Sequence, residues 1–381
     1  MRVAVVGCGV GGAMASWLLA RQGHEVTLLE RAPELRPVGA GVLLQPSGQG
    51  VLRRLDLLER VVARAERIER LDATHGHCQL IDIRWDEVAE SACSMGLRRA
   101  ELMEVLVDQC LRSQVNLRLG VEILGLRSEP EGEMLESGTG SDGPFDLVVG
   151  ADGSRSALRR FVEGPRWRYE YGFGAFWAVG PCSTIRGHLR QWVRDCRQLC
   201  GILPTGSGVA TLFWLVPNDR AASTRSGSFD AWAAEVRHLA PPTAELLEGL
   251  SGWGDVVYTP YRHCWMHNWR QGRLVLLGDA AHSMSPHLGQ GLNLALEDAE
   301  ALAMCLDTDR DVRRALRNYV RVRRPVAEFY LSTSLALTPF FQSTCIPNTW
   351  LRDFGLPLLG RIPWSRRLMA RSMSGIGPGG S

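Results

Sequence analysis

The period of the hydrophobic pattern changes several times along this chain, and the first change comes at the start. Val3–Val6 is an unbroken apolar run, Gly7 to Gly12 interrupts it, Ala13–Arg21 carries apolar residues at helical spacing up to Gly23, and Glu25–Leu29 is apolar again. Strand, glycine turn, helix and strand make a compact βαβ unit. Apolar residues three and four apart predict helices over Gly50–Ala65 and Arg99–Arg112, with a strand-like stretch, Ile68–Trp85, between them. The segment Glu129–Gly143, rich in Gly, Glu and Ser, predicts a hairpin or surface loop before a buried strand, Phe145–Val149, that ends at Gly150. From Tyr169 to Trp265, short runs of Trp, Tyr, Phe and Val broken by Gly and Pro predict a sheet with one helix near Phe229–His238. Arg273–Leu277 is another short core strand, and a loop leads from it to a helix over Leu292–Leu306.

Composition narrows the possible chemistry. The chain has 381 residues and is 45% hydrophobic, enough for a large core, and its 43 basic and 41 acidic residues nearly cancel. That balance offers no footprint for nucleic acid, so small molecules are the expected partners, and a monomer or homodimer the expected assembly. Every basic residue is arginine, because the sequence has no lysine. A Walker-type phosphate loop, a Schiff-base nucleophile and a Ser-Lys pair are thereby excluded. The ten cysteines, among them Cys8, Cys78, Cys110 and Cys305, form no CxxC pair and read as buried thiols in a reducing compartment.

Met1 runs directly into a strand without a signal-peptide pattern, so a cytoplasmic location is expected. No apolar run approaches the roughly 20 residues of a spanning helix, since Leu331–Phe341 is short and interrupted by Pro339. The tail Leu356–Met373 mixes Leu, Ile and Trp with Arg361, Arg366, Arg367 and Arg371, a pattern open to an ordinary packed basic helix, the preferred reading, or to a membrane-surface helix.

Three segments carry candidate chemistry. Gly7-Cys8-Gly9-Val10-Gly11-Gly12 is a GxGxxG between a strand and a helix, the context of a dinucleotide site. Gly7 serves the tight turn, Gly9 the approach of a pyrophosphate and Gly12 close helix–strand packing, while Glu30 ends the next strand where ribose hydroxyls need an acceptor. The motif alone leaves FAD and NAD equally open. The second segment is Gly150-Ala151-Asp152-Gly153-Ser154-Arg155-Ser156, and on its own Asp152-Gly153 is a common turn. The third is Gly278-Asp279, leading through Pro286-His287-Leu288-Gly289-Gln290-Gly291-Leu292-Asn293.

In this order, from Met1 to about Arg324, the three segments resemble the class A flavoprotein monooxygenases, the family of para-hydroxybenzoate hydroxylase. The resemblance implies an α/β fold: a Rossmann-like FAD-binding domain of the glutathione-reductase type (1–70, 97–165, 271–325), an inserted, mostly antiparallel substrate sheet (71–96, 166–270) and a C-terminal helical segment (326–381). It implies FAD held by Gly7, Gly9, Val10, Gly11, Gly12, Glu30 and Arg31, and by Asp152 and Gly153, which are thought to serve a transient NAD(P)H as well. Asp279 after Gly278 would bind the ribityl chain, and the loop Pro286, Gly289, Gly291, Leu292 and Asn293 would border the ring. There the helix starting near Gly291 aims its positive end at the flavin pyrimidine. Arg99 and Arg36, the latter with Gly39 and Gly41, resemble the family's FAD-side arginines, although either arginine could be a solvated surface residue.

The family reduces its flavin with NAD(P)H, forms a C4a hydroperoxide with O2 and hydroxylates an aromatic or heteroaromatic ring. That chemistry calls for an apolar, water-free pocket. Candidates to line it are His188, Trp192, Tyr261, Arg262, His263 and Trp265, with Pro286 and His287 on the flavin loop; Tyr261, His263, Pro286 and His287 are the candidate catalytic residues. A lone His or Tyr on such strands is more often a structural residue with a satisfied hydrogen bond than a catalytic base. His75-Gly76-His77-Cys78 has no accompanying ligand set, and no metal site is expected. A flavin halogenase is disfavoured because that family needs a lysine and a WxWxIP motif, both absent here. Other readings are a flavin-dependent dehydrogenase or reductase, a monooxygenase fed by a partner flavin reductase, and a flavin-binding sensor or scaffold. A faint likeness over Gly11–Arg31 points to the branch acting on alkylquinolones and related secondary-metabolite precursors.

Overall fold

A computed structural model describes residues 1–35, 40–90, 92–342, 352–355, 357–358 and 362–375. Its first sheet has six strands in the order Arg270–Gln271, Leu274–Leu276, Leu147–Gly150, Arg2–Val6, Glu25–Glu30 and Asn116–Leu119, all parallel except the first pair. Val6 lies beside Gly150 and beside Leu29, and Gly150 beside Leu276. This register brings the residues after each strand, Gly7, Ala151 and Leu277, to one carboxyl edge, where open α/β sheets bind their ligands. Helices Val10–Arg21 and Gly291–Thr308 share the core of this sheet, with Met14, Leu18, Leu296 and Leu302 buried.

A second sheet of seven strands runs Val257–Met266, Arg166–Pro181, Val209–Pro217, Gln198–Pro204, His188–Arg194, Arg70–His75 and Cys78–Arg84. Only the pair His188–Arg194 and Arg70–His75 is parallel. One face buries Phe176 and Trp214 with Trp232 of helix Phe229–Leu239. Leu71, Ile83 and Leu203 pack on Tyr330 of a helix that runs Val312–Phe341. The small sheet Gly41–Leu44, Ser94–Arg98 and Glu66–Ile68 joins the two; a Cβ at Gly96 would stand 2.0 Å from the Pro204 carbonyl oxygen.

Several elements differ from the sequence pattern. Gly50–Ala65 is two helices, Pro46–Arg54 and Leu58–Val62, because Asp56 turns left-handed at φ 57° between them, a conformation Asp tolerates better than most residues. Helices Asn218–Arg225 and Ala244–Glu248 flank the helix expected near Phe229–His238, which spans Phe229–Leu239. Glu129–Gly143 does form the hairpin expected there, Gly132–Ser137 with Gly140–Phe145, which Ile123–Glu129 extends to a three-stranded antiparallel sheet. The apolar run Leu331–Phe341 is the end of one 30-residue helix that passes through Pro325 and Pro339. Arg323, Ala327, Tyr330, Ser334 and Thr338 are buried along it at helical spacing, and that packing outweighs the roughly 3 kcal/mol disadvantage of an interior proline. Nor are all the thiols buried, since Cys78 is exposed and Cys305 half-buried.

The helices Gly291–Thr308 and Val312–Phe341 meet in a buried charge cluster. Asp298 accepts from Arg323 Nε at 2.7 Å, lies 2.6 Å from His282 Nε2 and accepts the Gly278 amide at 2.9 Å, while Arg323 also reaches Glu297 at 2.7 Å. Burial would raise the Asp298 carboxyl, but the His282 and Arg323 charges hold it down at about 2. Arg323→Met should therefore lower the unfolding free energy by about 3–5 kcal/mol, the cost of stranding a buried carboxylate. Urea titration of both proteins checks this, and equal midpoints and slopes would show that the cluster contributes nothing.

Candidate active site

The glycine turn is built by exclusion. Gly7 has φ 103°, and a Cβ there would lie 2.5 Å from the Ala151 carbonyl oxygen; a Cβ on Gly12 would lie 1.9 Å from that of Gly7, and one on Gly11 2.6 Å from the Leu277 side chain. Gly9 is different. Among the described residues its Cβ would meet only Arg99 Nη2, 3.7 Å away. Helix Val10–Arg21 starts there without a side-chain cap and with no acidic residue in its first turn, so its end offers amides and positive potential.

Two clefts meet at this point. A wide one of about 1560 Å³ is bordered by Cys8, Gly9, Glu30, Arg31 and Arg99. Glu30 accepts the Cys8 amide at 2.8 Å and the Ala32 amide at 3.0 Å, which fixes its carboxylate at the rim with lone pairs to spare for hydroxyl donors. Burial, and then the Glu30 charge, push the Cys8 thiol up to about 12. Arg36 and Gly39 lie outside the described residues. Gly41 donates to Thr211 Oγ1 at 2.6 Å, and a Cβ on it would stand 2.3 Å from Thr205, so the glycine lets this strand approach the second sheet.

The narrow cleft, about 240 Å³, joins all three fingerprint segments: Gly9, Val10 and Gly11, then Gly153, then Gly278, Asp279, Gly291 and Leu292. Asp279 exposes its side chain here, and its Oδ1 lies 3.8 Å from where a Cβ of Gly291 would be. Gly291 opens the 18-residue helix, again without a side-chain cap. Asp152 turns back on its own loop, accepting the Ala157 and Leu158 amides at 2.7 and 3.3 Å, and leaves Oδ1 buried without a partner among the described residues. The Asn293 side chain faces away from the cleft, tied to Gln45 N, Leu43 O and Gly289 O, so it pins the loop.

These features fit FAD: an uncapped helix start over Gly9 and Arg99 for the pyrophosphate, Glu30 for the ribose, Asp279 for the ribityl chain and the Gly291 helix end for the ring. The family model described as an FAD binding domain matches residues 1–334. The chain belongs to that family of FAD-dependent monooxygenases. Among its relatives, Aurachin C monooxygenase/isomerase of Stigmatella aurantiaca is 29% identical over 98% of this chain and 97% of its own length. A probable 2-heptyl-3-hydroxy-4(1H)-quinolone synthase of Rhodococcus erythropolis is 30% identical over 87% and 86%. The crystal structure of Pseudomonas aeruginosa PqsL in complex with 2-aminobenzoylacetate superposes with a TM-score of 0.81 at 25% identity, over 93% of this chain and 99% of that one. The fold matches the expected α/β class, with FAD as the cofactor.

Arg159 is the residue that sequence reasoning missed here. Its buried guanidinium donates to Ala280 O at 2.6 Å, Ser154 O at 2.7 Å, Gly153 O at 3.3 Å and Asp279 O, joining the second segment to the third. The available signal was an arginine set in the apolar run Ala157, Leu158, Phe161 and Val162.

On the substrate side the candidates separate. Pro286 and His287 form the turn Pro286–Leu288, and His287 lies on a third cavity, about 300 Å³, with Leu71, Ile81, Phe329, Leu337 and Phe341. Its ring packs on Phe341 at 5.5 Å, and burial, partly offset by the neighbouring Gln342 side chain, lowers its pKa to about 4; among the described residues no group stands in good hydrogen-bond geometry to Nε2. Tyr261 and His263 belong to an aromatic layer of the sheet and do not line this cavity; His263 Nδ1 is 2.7 Å from the Tyr171 hydroxyl. Arg262 pairs with Glu170 at 3.0 Å, Trp265 donates to Glu328, Trp192 carries Arg190 on its ring, and His188 stands 4.0 Å from Asp72.

Gly9→Val should yield folded protein without flavin, because only the pyrophosphate's approach is blocked, whereas Gly12→Ala should lose stability by about 1–3 kcal/mol through overpacking. Absorbance of bound flavin alongside thermal melting separates the two, and a flavin-replete Gly9→Val protein would remove Gly9 from the site. Burial also lowers the His263 pKa to about 4, so the unfolded chain binds the proton more tightly. Stability from His263 is complete above about pH 6.5 and falls as pH drops towards 4, by on the order of 2–3 kcal/mol. His263→Phe should flatten that part of the denaturant-midpoint profile; an unchanged slope would contradict it.

Proposed function

We propose that this enzyme hydroxylates a heteroaromatic ring bearing an apolar substituent, with NAD(P)H as reductant, and that the substrate occupies the cavity beside His287. The observation that carries this is the position of that cavity: Leu288 and His287 of the flavin loop border it, and Leu71, Ile81, Ile83, Phe329, Leu337 and Phe341 make most of the remaining lining apolar. Bound FAD supplies the redox chemistry, activating O2 so that one oxygen atom reaches the ring. The relatives named for quinolones and for aurachin C support the same substrate class.

The protein contributes position and dryness. Apolar walls exclude water from the reacting atoms, and Pro286 stiffens the turn that carries His287. His287, beside the Gln342 side chain, is neutral at pH 7, and in the tautomer with the proton on Nδ1 its Nε2 accepts a hydrogen bond from a ring N–H or O–H and orients the substrate, while being too weak a base to keep the proton. Gln191, Thr333 and Ser372 are the remaining polar contacts on the wall. A cytoplasmic enzyme, monomeric or homodimeric, that reduces its own flavin fits this arrangement; a separate flavin reductase is the variant to test.

Filling the cavity tests the reading. Ile81→Trp should raise KM for a quinolone-type substrate at least about tenfold, or abolish substrate-stimulated NAD(P)H oxidation, while FAD content stays at the wild-type level. Unchanged kinetics in a fully loaded variant would place the substrate elsewhere. His287→Gln should keep the acceptor and lose less activity than His287→Leu, measured as kcat/KM; equal losses would deny the ring's orienting role.

A further inference from the structure

The C-terminal helix Pro363–Met373 has two unlike sides. Ser365, Ala370 and Met373 are buried against the protein. Trp364, Arg367, Leu368 and Arg371, at helical spacings of three, four and seven, are exposed on the other side, Trp364 by 66% and Leu368 by 45%. Phe354 and Leu358 of the preceding segment are exposed by 70% and 61%. Isolated surface apolar residues need no explanation, but Trp364 and Leu368 stand one turn apart on the same exposed side of the helix. The helix also carries Arg366, Arg367 and Arg371 and no acidic residue; Arg366 meets Glu87 at 3.1 Å.

Leu368, Met369, Ser372 and Met373 of this helix also line the apolar cavity beside His287, so the exposed face and the cavity share a wall. We propose that this face docks on an anionic phospholipid bilayer, its aromatic and leucine side chains entering the headgroup region while its arginines meet lipid phosphates, and that an apolar substrate passes from the lipid into the cavity behind it. The last step rests on the cavity being the substrate site.

Charge selects the partner. Trp and Leu interleaved with Arg on one face match an anionic interface, where each arginine adds attraction that salt screens. A second copy of the chain fits worse, since a two-fold contact would bring the two basic helix faces together around Arg367, with no carboxylate on the helix to offset the charge. At 11 residues the helix is far short of the roughly 20 needed to span a bilayer and would lie in the interfacial plane.

The test is flotation of the full-length, FAD-loaded protein with phosphatidylcholine vesicles, with and without phosphatidylglycerol. Binding is expected only to the anionic vesicles, should fall at high salt, and should resist millimolar inorganic phosphate, which separates a lipid surface from a simple anion site. The double variant Trp364→Ser, Arg367→Glu should partition about tenfold or more weakly, with FAD content and substrate-independent NAD(P)H oxidation unchanged. No flotation at low salt, or a variant that floats like wild type, overturns the proposal. So does a concentration-dependent dimer on gel filtration that Trp364→Ser dissociates, which would assign the face to a second copy. Because flotation needs no substrate, it can succeed when Ile81→Trp shows the substrate to lie elsewhere; only the lipid-to-cavity route would then fall.

Discussion

A single buried guanidinium holds the floor of the flavin site together. Arg159 donates to carbonyls on both sides of the narrow cleft, in 153–154 and in 279–280, more than a hundred residues apart in the chain. Each charge-assisted bond is worth about 1.5–3 kcal/mol, and losing the donor would leave several carbonyls facing one another without partners. Burial lowers the pKa of this arginine, yet a guanidinium remains charged at neutral pH, so the clamp does not depend on pH. It fixes the backbone under Asp279, and with it the carboxylate that faces the cofactor cleft.

Steric exclusion does the same work one strand away. Gly7, Gly11 and Gly12 are glycine because other backbone or side-chain atoms occupy the space of a Cβ, whereas Gly9 is glycine with almost nothing near it. That contrast separates residues that shape the protein from the one that makes room for a ligand. The buried cluster of Asp298, His282 and Arg323 then carries order outward, since Asp298 bonds the Gly278 amide and Arg323 belongs to the long helix that also presents Phe329, Leu337 and Phe341 to the apolar cavity. Cofactor cleft and cavity are thus tied to one frame.

The cofactor half of this design is legible in the sequence because it is local: each fingerprint follows a strand, and parallel register alone brings Gly7, Ala151 and Leu277 to the same edge. The cavity proposed for the substrate is not. Ile81, Phe329 and Phe341 come from a sheet strand and a distant helix, and nothing in their neighbourhoods announces a shared cavity. Polar residues on strands misled for the same reason, since Arg262 and Trp265 find partners in Glu170 and Glu328 that only the fold reveals. The helix through Pro325 and Pro339 was hidden because proline signals a break locally while a long buried face overrides it.

Oxygen transfer to a substrate held in the largely apolar cavity beside His287 is what we propose these parts serve. It is tested most directly by mass spectrometry of the product formed from a quinolone-type substrate under heavy-oxygen gas, with NAD(P)H as the only reductant. One labelled oxygen atom per product molecule, and no product in the absence of oxygen, is the predicted result. Product whose new oxygen comes from water, or turnover at full rate without oxygen, would contradict it.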